Sequence, residues 1–151
     1  MAFIREAKGE DLDGLLSLYQ DLHPEDPPMP SCATVEVAWR DILAAPWLHV
    51  FVAEEGGQLM SSCLLQLVPN LTRGARPFGL IENVITRQGE RRKGFAAKTL
   101  RHALLFAWRS GCYKVMLLTG RKEPEVAKLY EKVGLKQGLK EGFLALPPDA
   151  R

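Results

Sequence analysis

The sequence predicts an α/β (α+β) fold, a mixed and mostly antiparallel sheet with flanking helices, and three observations carry that expectation. Short apolar runs alternate with segments whose apolar residues recur at helical spacing. Glu55-Gly56-Gly57 between two long apolar runs is a hairpin signal, and a hairpin makes its strands antiparallel. From Phe78 to Thr119 the order strand, helix, strand requires a crossover, which is strongly biased to a parallel pair.

Each element has a local reason. Phe3 to Ala7 reads as the first strand, and Leu12, Leu15, Leu16 and Tyr19 then mark a helix with Asp11 as its N-cap. His23 to Pro30 holds four prolines in eight residues, so that stretch is loop. Val35, Ala38, Trp39, Ile42 and Leu43 form a second helical stripe, capped by Thr34. Leu48 to Glu54 and Gln58 to Leu67 are the hairpin strands, Pro69 to Pro77 is another loop, and Phe78 to Thr86 is a strand. Leu100, Ala103, Leu104 and Ala107 line one face of a long helix running to about Ser110, with Gly111 as its C-cap. Val115 to Thr119 is a short apolar strand; Pro124 suits the first position of a last helix and Gly134 its end. Gly142 to Leu146 is expected to add a final strand, and the whole of 1–151 to form one domain.

Composition narrows the function classes. With 46% hydrophobic and 25% charged residues, the 151-residue chain has the balance of an ordinary globular protein. A net charge of +2 is too small to argue for a nucleic-acid partner, and no apolar run approaches the ~20 residues of a membrane span. Met1 to Glu6 lacks the apolar core of a signal peptide, which leads to the expectation of a cytoplasmic protein. Cys32, Cys63 and Cys112 are scattered without metal spacing and read as reduced packing thiols; His49 and His102 have no clustered partners, so no metal is expected.

The most informative stretch is Ile81 to Ala97. It reads as a strand, a basic glycine-containing turn and the first turn of a helix. A helix start presents N–H groups with no intrahelical partner and partial positive charge, and Arg91, Arg92 and Lys93 stand directly before it. That combination suits a polyanion such as a pyrophosphate. A Walker-type loop is excluded because Phe95 and Ala96, not Lys and Ser or Thr, follow Gly94; the dinucleotide pattern Gly-x-Gly-x-x-Gly is absent.

Arg91-x-x-Gly94-x-Ala96 resembles the coenzyme A pyrophosphate signature of the Gcn5-related N-acetyltransferases (GNAT), written Arg/Gln-x-x-Gly-x-Gly/Ala. Glu125 to Leu135 is similar to the family's second hallmark, a short helix carrying a tyrosine, Tyr130, and ending at Gly134 before an apolar residue. The resemblance is close from Phe78 to Leu135. It implies a splayed parallel strand pair, acetyl-CoA as cosubstrate and acetyl transfer to an amine. Val84, Ile85 and Thr86 would hold the pantetheine arm and polarise the thioester; Arg91, Arg92, Lys93, Gly94, Phe95, Ala96 and Ala97 would hold the pyrophosphate. Tyr130 would act as general acid and Glu82 as general base. Read from spacing alone, Tyr130 is a core residue among Val126, Leu129 and Val133, and Glu82 is a carboxylate that needs a partner or a wet cleft.

Members of the family often carry an asparagine seven residues before the tyrosine; here that position is Glu123. The expected acceptor is a small-molecule amine, with Glu25 and Asp26 able to attract a cationic group and Arg73 and Arg76 able to bind a phosphate, phosphonate or carboxylate. Two other functions fit the same pattern, a coenzyme A-binding regulatory module without turnover and a peptide-lysine acetyltransferase. Family members are often dimers, so a homodimer is a further expectation.

Overall fold

A computed structural model describes residues 1–149. Strand β1 (Phe3–Glu6) leads through a 3₁₀ turn (Gly9–Asp11) to α1 (Leu12–Leu22) and α2 (Cys32–Ala44). The hairpin β2 (Leu48–Glu55) and β3 (Gln58–Val68) follows, then a four-residue turn α3 (Thr72–Ala75), β4 (Phe78–Thr86), α4 (Phe95–Arg109), β5 (Val115–Leu117) and α5 (Pro124–Lys132). The strands form one sheet in the order β1-β2-β3-β4-β5. All neighbours are antiparallel except β4 and β5, which are parallel, as the crossover through α4 requires.

Both faces of the sheet are covered, so its central strands are buried in continuous runs rather than alternately, as in residues 50–53 of β2. On one face Phe51, Cys63, Leu65 and Ile81 pack against Leu100, Ala103, Leu104 and Ala107, the α4 stripe that helical spacing predicted. On the other, Val50, Val52, Leu59 and Ile85 pack against Leu15 and Leu18 of α1 and Trp39 of α2. Burial holds the Cys63 thiol in its protonated form, pushing it up to about 12, and also raises Cys112; both are inert packing groups.

Three local expectations are corrected. Asp11 stands at the N-cap position of α1 but does not cap it; its carboxylate accepts from Arg5 Nη1 and Nη2 at 2.7 and 2.8 Å and from the Lys8 N–H at 2.7 Å. That tie to β1 competes successfully with the helix end, and the Arg5 bonds hold the Asp11 carboxyl below the usual carboxylate range. Helix α2 is capped by Ser31, whose Oγ accepts from the Thr34 N–H, so the helix begins two residues before Thr34. Residues 142–146 are not a strand; they run as irregular chain with Phe143 and Leu144 exposed, because no neighbouring strand pairs with them.

Candidate active site

The sheet opens where β4 leaves β5. Their pairing covers Gly79–Val115, Leu80–Met116 and Ile81–Leu117 and then stops, while β4 continues to Thr86. On its other side β4 pairs with β3 through Leu64–Glu82 and then Ser62–Ile85, so Asn83 and Val84 together oppose the single residue Cys63. This is a β-bulge, and Asn83 adopts φ +53°, a left-handed conformation that Asn tolerates better than other side-chain-bearing residues. The extra residue reverses the alternation of faces: Ile81 and Val84 both reach the α4 core, and Ile85 reaches the α1 core. A bulge beside an unpaired flank turns β4 backbone groups toward open space, the condition a bound extended arm needs. Ser61 Oγ, fully buried, donates to the Ile85 carbonyl at 2.8 Å and fixes the strand just past the bulge.

The parted strands open into a cleft of about 880 Å³. Its walls are residues 81–86 of β4, the start of α4, the segment 117–121 after β5, α5 including Tyr130, and Asp21, Leu22, His23 and Glu25 from the end of α1. Of the residues expected to meet the cosubstrate, Val84, Ile85, Thr86, Arg91, Arg92, Gly94, Phe95, Ala96 and Ala97 line it. Lys93 does not; its Nζ pairs with Glu90 at 2.6 Å.

The turn before α4 has the backbone of an anion cradle. Arg92 and Gly94 take φ +66° and +87°, and left-handed residues at alternate positions curl a chain into a concavity of N–H groups. Lys98 N–H donates to the Gly94 carbonyl at 3.1 Å as the first helical bond, so the N–H groups of Phe95, Ala96 and Ala97 precede the intrahelical ladder. Gly94, at the N-cap position, has no side chain to occupy the helix start, and a Cβ built there meets nothing within 4 Å. Open space, free donors and two arginines fit a pyrophosphate. The approach is braced by Arg87, whose Nε donates to the Leu59 carbonyl at 2.8 Å, and by Asp21, which accepts from the Gln88 N–H at 3.2 Å.

Tyr130 and Glu82 both line the cleft. Tyr130 is half-buried, and desolvation, the largest influence, raises its phenol above the usual value, with Arg121 opposing. Glu82 is exposed to the cleft rather than enclosed by its apolar strand neighbours, so it meets the wet-cleft condition. Glu25 lines the same space and Asp26 does not. Arg73 and Arg76 are not brought there: Arg76 donates to the carbonyls of Gly111 and Cys112, both at 3.1 Å, and Arg73 lies 5.9 Å over the Tyr113 ring. Glu123 sits just before α5 within reach of Arg121, at 3.4 Å. Sequence reasoning missed Asn83 and Asp21. For Asn83 a signal existed, since asparagine is depleted in strand interiors; for Asp21, in contact with a residue 67 positions away, there was none.

A bulged strand parting from its parallel neighbour, with a basic helix start below, defines the acyl-coenzyme A-dependent transferase fold. Residues 12–135 match the model of the Acetyltransferase (GNAT) family, and the chain belongs to that family. It is an acyltransferase, and GNAT acetyltransferases use acetyl-CoA. A glucosamine 6-phosphate N-acetyltransferase of Trypanosoma brucei brucei is 29% identical over 133 residues, 88% of each chain. A candidate acetyltransferase from Agrobacterium tumefaciens str. C58 is 43% identical, with a TM-score of 0.90 over 96% of this chain and 99% of that one. The glucosamine-6-phosphate N-acetyltransferase of Arabidopsis thaliana shares the fold at 21% identity, with a TM-score of 0.83 over 99% of both chains. Among the described residues no helix is long and apolar enough to cross a membrane.

Proposed function

We propose that the protein transfers the acetyl group of acetyl-CoA to the primary amine of a small molecule. The observation that carries this reading is the continuity of three features in one cleft: the flank of β4 unpaired beyond Ile81, the open cradle at Gly94, and Tyr130 in the same wall. Acetyl-CoA supplies an activated acyl carbon and a sulfur leaving group. The amine nitrogen bonds to that carbon as the carbon–sulfur bond breaks. The backbone N–H of Val84 stabilises the charge developing on the carbonyl oxygen, an effect typically worth ~10²–10³ in rate for one donor.

Glu82, directly or through water, accepts the proton that the ammonium loses. Tyr130 stabilises the departing sulfur. An ordinary thiol titrates near 8.5 and an ordinary phenol near 10, and burial raises Tyr130 further. The phenol therefore remains protonated and acts chiefly by donating a hydrogen bond to the thiolate, which then takes its proton from water. Arg91, Arg92 and the N–H groups after Gly94 hold the pyrophosphate and set the distance from that anchor to the reacting carbon.

The cleft also carries Glu25 and Glu82, whose charge attracts an ammonium. An amino sugar phosphate, the acceptor in the name of the trypanosomal relative, is such an amine, and Arg121 in the cleft offers a cation to its anionic group. Thiol release from acetyl-CoA is to be measured with amino sugar phosphates, aminophosphonates, aminoglycosides, polyamines and lysine peptides. Turnover with a small amine, above hydrolysis, is expected. Tight acetyl-CoA binding by calorimetry with no turnover on any acceptor would replace the enzyme by a coenzyme-sensing module.

A further inference from the structure

Three connections meet at the end of the sheet away from the cleft. The pairings of Leu48 with Gln66, Val68 with Phe78 and Gly79 with Val115 set the start of β2, the β3–β4 connection and the α4–β5 connection side by side. The last two are stapled together. The Tyr113 N–H donates to the Pro77 carbonyl at 3.0 Å, and Arg73 lies over the Tyr113 ring. Lys114 Nζ stands 5.3 Å from the ring centres of both Tyr113 and Phe78.

Two properties of this end have no part in the cleft. The first is exposed apolar surface: Trp47, Leu71 and Trp108 are 49%, 95% and 49% exposed. Leu71 is held out by a strained turn. Arg73, Gly74 and Ala75 take φ +55°, +70° and +58°, a run of left-handed backbone that Arg and Ala ordinarily avoid. Asn70 Nδ2 closes the turn by donating to the Thr72 carbonyl and hydroxyl, both at 2.9 Å. The second property is charge. Of 18 acidic residues in the chain, none lies between Gly56 and Ile81 or between Arg91 and Lys122. Arg73, Arg109 and Lys114 therefore have no acidic neighbour along either connection.

We propose that this end of the molecule docks on an anionic lipid bilayer. Leu71 and the two tryptophans enter the headgroup boundary, and Arg73, Arg109 and Lys114 lie against lipid phosphates. A nucleic acid would satisfy the cations but leave Leu71 in water, and an acidic protein would need a pocket shaped to it. A bilayer offers phosphate and hydrocarbon in successive layers, and tryptophan favours the boundary between them. Docked in this way, the cleft lies at the opposite end of β4 and stays open to solutes. The docking does not rest on the acetyltransferase reading.

The intact protein is to be sedimented with vesicles of phosphatidylglycerol and phosphatidylcholine, or of phosphatidylcholine alone. It is expected to sediment with the anionic vesicles only, less so as salt is raised, and with a blue shift of tryptophan emission. A cation beside an anionic surface is worth about fivefold in partitioning. Arg73→Glu with Arg109→Glu should therefore weaken binding at least tenfold at an unchanged Tm. Leu71→Ser, at a side chain that nothing in the fold covers, should weaken it about tenfold and decides the matter if the charge reversal misfolds. No vesicle binding by the parent overturns the proposal, as does equal binding to neutral vesicles or binding that both variants retain. Retention on an immobilised oligonucleotide or polyglutamate without vesicle binding gives the patch to another polyanion and overturns it too.

Discussion

Two parts of the cleft are made by opposite means. The cradle is one continuous segment, Arg91 to Ala97, and works largely through backbone: left-handed Arg92 and Gly94, then N–H groups that the helix start leaves free. The other part of the cleft draws on Glu25 after α1, Glu82 beside the bulge and Arg121 after β5, and works through side chains. A local, backbone-built part suits the portion of the ligand that every family member shares. A part drawn from three distant segments can change its side chains without disturbing the cradle, which is the freedom that selectivity for an acceptor would need.

The largest effect is expected where the two parts meet. Deleting Asn83 would let β4 pair with β3 without the bulge: Glu82 still opposes Leu64 and Ile85 still opposes Ser62, while Val84 falls opposite Cys63 in a regular ladder and its freed flank is re-aimed. Turnover should fall by ~10²–10³, the worth of one positioned backbone donor, while acetyl-CoA affinity by calorimetry changes much less. Equal losses in both would place the function of the bulge in binding rather than in chemistry.

Arg91→Ala tests the cradle alone. A charge-assisted hydrogen bond contributes about 1.5–3 kcal/mol, so KM for acetyl-CoA should rise about tenfold or more, with kcat nearly unchanged. The reverse split would remove Arg91 from the pyrophosphate site.

How much of this was visible in the sequence follows the same division. The α4 stripe, the hairpin, the parallel crossover and the basic turn each depend on neighbours within one segment, and each is present. Asp11 and the tail were misread because their local preferences are decided elsewhere, by Arg5 on β1 in one case and by the lack of a pairing strand in the other. Arg73 and Arg76 suggested an anion site by proximity along the chain. No local pattern says that Arg76 reaches the carbonyls 35 and 36 residues away.

Tyr130→Phe separates two descriptions of the acyl end. If the phenol donates a hydrogen bond to sulfur, kcat should drop about tenfold, the value of roughly 1.4 kcal/mol. A drop of ~10³ would instead indicate full proton transfer in the rate-limiting step. Burial raises this phenol, and a group with a raised pKa keeps its proton to higher pH. The parent enzyme should therefore hold its kcat up to about pH 10, where an unperturbed tyrosine is already half ionised. An alkaline fall well below that pH, absent in Tyr130→Phe, would contradict a desolvated phenol.

The smallest effect on activity is expected at Arg76, and it is informative for that reason. Its guanidinium joins β4's approach to the end of α4 through the Gly111 and Cys112 carbonyls. Truncation to Ala leaves those carbonyls to water, since the site is partly exposed, and should cost about 1–2 kcal/mol rather than the full penalty of a buried orphan. For a chain of this size that is a fall of about 2–8 °C in Tm, readable by calorimetry. KM for the acceptor and for acetyl-CoA should not move, because neither carbonyl lines the cleft. A rise in acceptor KM without loss of Tm would return Arg76 to the acceptor and mean that the anion-binding groups of the site come from outside the cleft.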